Sequence, residues 1–112
     1  MQTKITFRGM DHSEAIERYA RTRMEKLHKF FKKENPDSVF VTMTLDSHRT
    51  KHYFMAEIKV KTAQYDLLAK KEGADLYPMI DQTVNTMEKE ITRSKEKHVS
   101  QKKHGGVPPL KE

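Results

Sequence analysis

Apolar residues in this chain repeat with two different spacings, and this change of spacing is the strongest constraint on the fold. They recur at every second position in four short segments, as in β-strands with one buried face. They recur at every third or fourth position in two longer segments, as in amphipathic helices. Each helix has one apolar stripe to bury, so the pattern predicts an α+β domain in which two helices pack on one face of a four-stranded mixed sheet.

The order of these segments along the chain is β-α-β-β-β-α. A helical crossover between the first two strands makes them parallel, and short connections make the remaining pairs antiparallel. The first helix is predicted to start after an N-cap at residues 11–13 and to continue to Lys33, and the second to start at Asp75 and to end near His98. The predicted strands cover residues 2–8, 38–46, 53–61 and 64–72.

The chain has 112 residues, which suits one domain with a single modest core. We expect that domain over residues 1–99, followed by a flexible tail over 100–112, where "SQKKHGGVPPLKE" lacks periodicity and contains Gly-Gly and Pro-Pro. The sequence has no cysteine, no run of about 18 apolar residues and no apolar leader at its start. These features favour a cytoplasmic protein without disulfides or membrane segments.

Positive charge is concentrated on one flank of each predicted helix. The chain carries a net charge of +6. At about 100° per residue, Arg18, Lys26, Lys29 and Lys33 share a flank of the first helix, opposite its glutamates. Lys89, Arg93 and Lys97 share a flank of the second. Phosphate backbones favour such stripes through counterion release, which indicates nucleic acid as the partner. The alternative is an ordinary solvated surface with i,i+4 pairs such as Glu25–Lys29.

Arg23 falls inside the apolar arc of the first helix, where an unpaired guanidinium would be costly to bury. It must extend to solvent, pair with an acid, or face a groove. Our hypothesis is that Arg23 and Lys26 complete a groove between the helices, with Lys89, Arg93 and Lys97 on its other side.

Other candidate chemistry is weaker. His48 and His52 have the spacing of paired metal ligands, but they lie in a predicted hairpin loop without a companion ligand motif, which favours a polar loop. Asp46 and Glu57 are not expected to share a pocket, and no glycine-rich phosphate loop or nucleophile elbow is present. We therefore expect no enzyme activity, metal, cofactor or small-molecule substrate.

Four apolar side chains are predicted to point away from the helices on the open sheet face: Phe40, Tyr53, Met55 and Leu68. Scattered surface apolar residues are the ordinary explanation. A contiguous patch would instead allow weak self-association or binding of a partner.

Three segments resemble the family of ribosome hibernation-promoting factors and ribosome-associated inhibitors, also known as sigma-factor modulation proteins. They are "MQTKITFRGMDHSEAIERYARTRMEKLHKFF", "VFVTMTLD" and "EGADLYPMIDQTVNTMEKEITRSKEK". The resemblance covers roughly residues 1–98 and implies the β-α-β-β-β-α fold. It departs from the family pattern at Lys70 and Lys71, which add positive charge at the end of the last strand.

The resemblance implies a factor that binds rRNA of the small ribosomal subunit in the decoding channel, across the tRNA and mRNA sites. Such factors block translation in starved or stationary cells through the basic surface of the two helices. Arg23 and Lys26 match a basic pair of the family's first helix, and the basic run of its second helix is matched by Lys89, Arg93, Lys95 and Lys97. The candidate RNA-binding residues are thus Arg18, Arg23, Lys26, Lys29, Lys33, Lys89, Arg93, Lys95 and Lys97.

Two other functions remain open at this point. A free-standing double-stranded RNA-binding module also packs two helices on a small sheet and would recognise duplex shape. A protein-interaction regulator would use the open sheet face instead.

Overall fold

The computed structural model describes residues 1–48, 50 and 52–97 with their side chains, and 98–103 as helix backbone. Its main elements are β1 (Gln2–Arg8), α1 (Glu14–Met24), a 3-10 helix (Glu25–Phe31), a short 3-10 turn (Pro36–Ser38), β2 (Phe40–His48), β3 (Tyr53–Lys61), β4 (Asp66–Gly73) and α2 (Leu76–Lys103). The sheet order is β1-β2-β3-β4. β1 pairs with β2 in parallel, and the other pairs are antiparallel. The predicted α+β fold and its topology are confirmed.

The inner face of the sheet carries the core. Val41, Met43 and Leu45 of β2 are fully buried, as their alternation predicts. Val41 lies opposite Val60 and Met43 lies opposite Ile58, so adjacent strands bring apolar side chains together. Both helices cover this face, and no helix of the described residues covers the other face of the sheet.

The turn between β1 and α1 fixes where the first helix begins. Gly9 has φ of 69°, and a Cβ at this position would lie 2.8 Å from the Ser47 carbonyl oxygen, so only glycine fits without strain. Ser13 then caps α1, because its hydroxyl accepts a hydrogen bond from the Ile16 N–H at 3.2 Å. Glu14 and Glu17 lie in the first turn, where the helix dipole favours negative charge.

The second half of the predicted first helix is not α-helical. α1 ends at Met24, and Glu25–Phe31 form a 3-10 helix, so the expectation of one helix to Lys33 is wrong. Leu27 and Phe31 are nevertheless buried as predicted. The apolar stripe identifies which side chains face the core, but it does not distinguish i→i+4 from i→i+3 hydrogen bonding.

α2 presents the predicted stripe to the sheet. Leu76, Ile80, Val84, Met87 and Ile91 are all buried. The helix extends past its predicted end to Lys103, because helical backbone does not require an apolar stripe to continue. The first residues of the predicted tail are therefore helical, and residues 104–112 of that tail lie outside the described part of the chain.

The open face of the sheet is mostly polar. Phe40 and Leu68 are 50% and 53% exposed, as predicted for outward residues. Met55 also points outward, yet it is only 6% exposed. It lies in register between Asp46 and Glu72, whose ion pairs with Arg8 and Lys70 flank it in the sheet. The four outward apolar residues therefore do not form one continuous patch.

Candidate nucleic-acid interface

α1 and α2 meet along a line of polar contacts centred on Asp81. The Arg23 Nε lies 2.9 Å from the Asp81 carboxylate, and the Tyr19 hydroxyl donates to the same carboxylate at 2.8 Å. Arg23 also donates to the Tyr19 hydroxyl oxygen at 3.2 Å, with its guanidinium 5.2 Å from the Tyr19 ring centre. The Tyr19 ring packs edge-on against Tyr77 of α2, with ring centres 4.7 Å apart. Arg23 is thus paired at the junction of the helices.

The surroundings of Arg23 favour its charged form further. The hydrogen bond that Arg23 donates to Tyr19, followed by the charge of Asp81, raises the pKa of the Arg23 guanidinium. The pair is part-exposed, with side chains 40% and 37% accessible, so its contribution to stability is the small one of a surface ion pair. Its main consequence is geometric, because it fixes the guanidinium between the helices.

Further along the same junction, α2 contacts the 3-10 helix. The Lys29 Nζ lies 3.8 Å from a Glu88 carboxylate oxygen. Lys95 donates to the Phe30 carbonyl oxygen and lies 5.8 Å from the Phe31 ring centre. A lysine placed at the end of a helix satisfies a carbonyl that has no intrahelical partner. We call this set of residues the interhelical seam; it comprises Tyr19, Arg23, Lys29, Asp81, Glu88 and Lys95.

The remaining candidate cations face solvent on the helices. Within the described residues, no ion pair joins a carboxylate to five of them, which we call the open rim: Arg18, Lys26, Lys33, Lys89 and Lys97. All five are exposed. Arg93 combines features of the seam and the open rim. It pairs with Glu90 of the same helix at 3.2 Å, yet its side chain is 67% exposed. The five open-rim cations can therefore bind an anionic partner without first giving up an ion pair with a carboxylate of the described chain.

An open groove of about 610 Å³ lies between α2 and Phe30 of the 3-10 helix. Its α2 wall carries both signs of charge. The lining residues from α2 are Asn85, Glu88, Lys89, Thr92, Arg93 and Glu96. One carboxylate oxygen of Glu88 is buried without a hydrogen-bond partner among the described residues. Lys89 and Arg93 give the groove two cations that can contact a phosphate, whereas the unpartnered Glu88 oxygen is buried beside Lys29.

The structure brings together part of the predicted groove. Lys89 and Arg93 line the groove beside Phe30 of the 3-10 helix, whereas Lys26 and Lys97 are not among its lining residues and Arg23 pairs with Asp81. The α2 residues that contact α1 or the 3-10 helix through polar groups are Asp81, Glu88 and Lys95, about 80–160° around the helix from Lys89 and Arg93. A helical wheel gives the relative positions of side chains on one helix but not which side faces its neighbour.

Sequence reasoning missed Asp81 and Tyr19. A partial signal for Asp81 was present, because pairing with an acid was one of the three outcomes expected for an arginine in an apolar arc. Tyr19 lies one turn before Arg23, and Asp81 follows the apolar start of α2. The partner could not be chosen among the acids of the chain without the packing of the two helices.

The weaker sequence candidates do not converge on a site. The His48 ring stacks on Tyr53 with ring centres 4.9 Å apart, and His52 adopts positive φ in the turn. Among residues 1–48, 50 and 52–97, no three His, Cys, Asp or Glu side chains are grouped as metal ligands. Asp46 is paired with Arg8 at 3.2 Å. In the part of the chain that is described, neither helix is both long and apolar enough to cross a membrane.

Comparison with known families gives a match over nearly the whole domain. The family described as "Sigma 54 modulation protein / S30EA ribosomal protein" matches residues 3–99. A ribosome hibernation promoting factor from Salmonella typhimurium is 28% identical over 97 residues, which cover 87% of this chain and 96% of that protein.

Solved structures share the fold. The crystal structure of the Thermus thermophilus Protein Y N-terminal domain superposes with a TM-score of 0.71 at 24% identity, covering 83% of this chain and 98% of that one. A ribosomal subunit interface protein from Coxiella burnetii gives a TM-score of 0.70 at 18% identity, covering 86% of this chain and 99% of that one. At these identities the two structures establish the architecture.

Proposed function

This chain belongs to the sigma 54 modulation protein / S30EA ribosomal protein family, and on that premise we propose that it is a ribosome-associated hibernation factor. The observation that carries the proposal is the family match over residues 3–99, joined to the open rim of cations on the helices. The proposed action is non-enzymatic and cytoplasmic. The protein would occupy a ribosomal site and so block translation during starvation or stationary phase.

The finer proposal is that the helical face binds rRNA of the small subunit in the decoding channel, across the tRNA and mRNA sites. A surface for this purpose needs cations spread over a wide area, because rRNA phosphates are spaced along a folded backbone. Open-rim residues occur on α1, on the 3-10 helix, just after that helix and on α2, which supports contact with more than one stretch of phosphates.

The nine candidate residues divide into two roles in this proposal. Members of the open rim contact phosphate directly: Arg18, Lys26, Lys33, Lys89 and Lys97. Arg93 joins them by exchanging Glu90 for phosphate. Arg23, Lys29 and Lys95 contact rRNA at the edge of the surface while they hold the helices in place through Asp81, Glu88 and the Phe30 carbonyl.

Sedimentation with purified ribosomal subunits tests this function. The protein should pellet with small subunits at low salt, and not with large subunits or with naked duplex RNA of equal phosphate concentration. Equal binding to the duplex would support a double-stranded RNA module instead. Failure to bind any of the three would favour a protein-interaction function.

The salt dependence of small-subunit binding gives a second test. With about five to eight phosphate contacts, raising salt from about 50 to 200 mM should weaken binding by roughly a thousandfold. A nearly flat response would contradict binding through the helical cations.

A further inference from the structure

The open sheet face divides into two ends with different charge patterns. At one end, charges are paired within the sheet: Arg8 with Asp46 at 3.2 Å, and Lys70 with Glu72 at 3.7 Å. At the other end, three exposed lysines have no ion pair with any described residue: Lys4, Lys59 and Lys61. Pairing within the sheet therefore leaves net positive charge at one end only.

The two most exposed apolar side chains of the sheet lie at that same end. Phe40 is in register with Lys61, and Leu68 is in register with Lys59. Half of each apolar side chain is exposed, at 50% and 53%. Neighbouring strands are about 4.8 Å apart, so each apolar side chain lies beside a lysine stem. Asp66 is the one carboxylate in these two rows of the described sheet, and no ion pair within the described residues joins it to Lys61.

Alternation of cations with exposed apolar and aromatic surface is the chemistry that binds single-stranded nucleic acid. Lysines attract successive phosphates, while bases that are not stacked in a duplex pack on an aromatic ring. Small four-stranded sheets use their open face in this way for single-stranded RNA. A duplex would not gain from Phe40, because its base faces are already covered. A second copy of this chain would place the lysines against like charges.

We propose that this end of the sheet, formed by Lys4, Phe40, Lys59, Lys61 and Leu68, binds a short single-stranded RNA segment. The segment stacks a base on Phe40 and places its phosphates at the lysines. This site is on the face opposite the helices, so it goes beyond the proposed ribosomal function and does not depend on it. The protein would then contact RNA on both of its faces.

Fluorescence anisotropy with a labelled oligouridine of about eight nucleotides tests the site on the full chain at low salt. Phe40→Leu keeps an apolar side chain but removes the ring, and should weaken binding about fivefold or more. The double variant Lys59→Gln/Lys61→Gln should weaken it about tenfold or more and lower its salt dependence. Because these side chains are exposed, circular dichroism and thermal unfolding should match the parent chain.

Two matched double variants separate this site from net charge and from the helices. Arg8→Gln/Lys70→Gln removes the same charge from the paired end of the same face, and should change oligouridine binding less than about twofold. Lys26→Gln/Lys89→Gln removes two positive charges from the open rim. This variant should bind small subunits more weakly while it retains most of its oligouridine binding.

Several results would overturn the proposal. One is unchanged oligouridine binding by Phe40→Leu. Another is an equal loss of oligouridine affinity in all three double variants, which would mean that net charge alone attracts the RNA. A glutamate-rich peptide of equal length that binds as tightly would show that the face does not select RNA. A concentration-dependent dimer that Phe40→Leu dissociates would assign the face to self-association.

Discussion

Arg23 and Lys26 are three residues apart in the chain, yet their surroundings differ. Arg23 is bound by Asp81 and Tyr19 in the interhelical seam. Lys26 is exposed and has no ion pair with a described residue. Both are basic residues of one amphipathic segment, and sequence pattern assigns both to RNA. The difference teaches that a cation's availability depends on what the neighbouring helix places beside it.

The same contrast occurs on α2. Lys95 is directed to the Phe30 carbonyl, whereas Lys89 and Lys97 are exposed without ion pairs in the described part of the chain. In our proposal, seam residues stabilise the relative position of the helices, and open-rim residues contact the phosphates of the partner. The predictions below separate these two roles.

The largest effect is expected from removing charge across the open rim. The variant Arg18→Gln/Lys26→Gln/Lys33→Gln/Lys89→Gln should lose about a thousandfold in small-subunit affinity near 100 mM salt, because each lost phosphate contact removes roughly one released counterion. Its thermal unfolding should remain close to that of the parent chain, since exposed charges contribute little to stability. Sedimentation and calorimetry measure both. Retained binding would show that the open rim is not the interface.

A seam variant should give the opposite pattern. Asp81→Asn removes the ion pair with Arg23 and weakens the hydrogen bond that the Tyr19 hydroxyl donates to residue 81. These two changes should lower the free energy of unfolding by roughly 0.5–1 kcal/mol. Small-subunit affinity should change less than about threefold. Denaturant unfolding measures the stability, with Asp66→Asn as a charge-matched control that lacks an ion pair in the described residues. A large loss of small-subunit affinity without a loss of stability would contradict the division of roles between the seam and the open rim.

Deleting residues 100–112 should have a smaller effect. Among the α2 residues whose burial is described, which end at 97, the last buried one is Ile91, and the last described contact of that helix with the rest of the domain is made by Lys95. We therefore expect the midpoint of thermal unfolding to fall by less than about 2 °C and the deletion variant to bind small subunits. A failure to fold would place the domain boundary beyond residue 99.

The smallest effect concerns the far side of α1 and is visible only in acid. The hydrogen bond with His12, followed by that with Arg21, lowers the pKa of the Glu17 carboxyl below its ordinary value of 4.5. A lowered folded-state pKa gives stability that is present above 4.5 and lost as the pH falls through the lowered value. Glu17→Gln should therefore reduce the acid sensitivity of unfolding slightly, measured from neutral pH to below pH 4.5. An unchanged pH profile would show that the contacts of Glu17 with His12 and Arg21 contribute nothing to the free energy of unfolding.

Most of the fold could be predicted from the sequence because its elements have distinct periods. Val41, Met43 and Leu45 alternate, and Leu76, Ile80 and Val84 follow a helical stripe, so their buried faces are determined locally. The change to a 3-10 helix at Glu25 was not predictable, since Leu27 and Phe31 suit either helix type. Met55 lies between the Arg8–Asp46 pair, which joins two strands, and the Lys70–Glu72 pair, which lies along β4, and periodicity does not encode its burial.

Less of the candidate site was predictable. The basic residues could be found by composition and angle, but their pairing could not. Arg23 and Asp81 are far apart in the chain, and their contact depends on how two helices cross the sheet. Whether the nine candidates bind rRNA stays a prediction that the following measurement addresses.

The most direct test of the distinction between open-rim cations and paired cations compares two double variants of equal charge. The quantity to compare is the salt dependence of small-subunit binding. Lys26→Gln/Lys89→Gln removes two open-rim cations, and Arg8→Gln/Lys70→Gln removes two cations that are paired on the open sheet face. We predict that the first lowers the slope of log K against log salt by about one to two units and weakens binding at least tenfold, while the second leaves both nearly unchanged. Equal changes in the two variants would contradict our account, because net charge rather than the open rim would then determine the affinity.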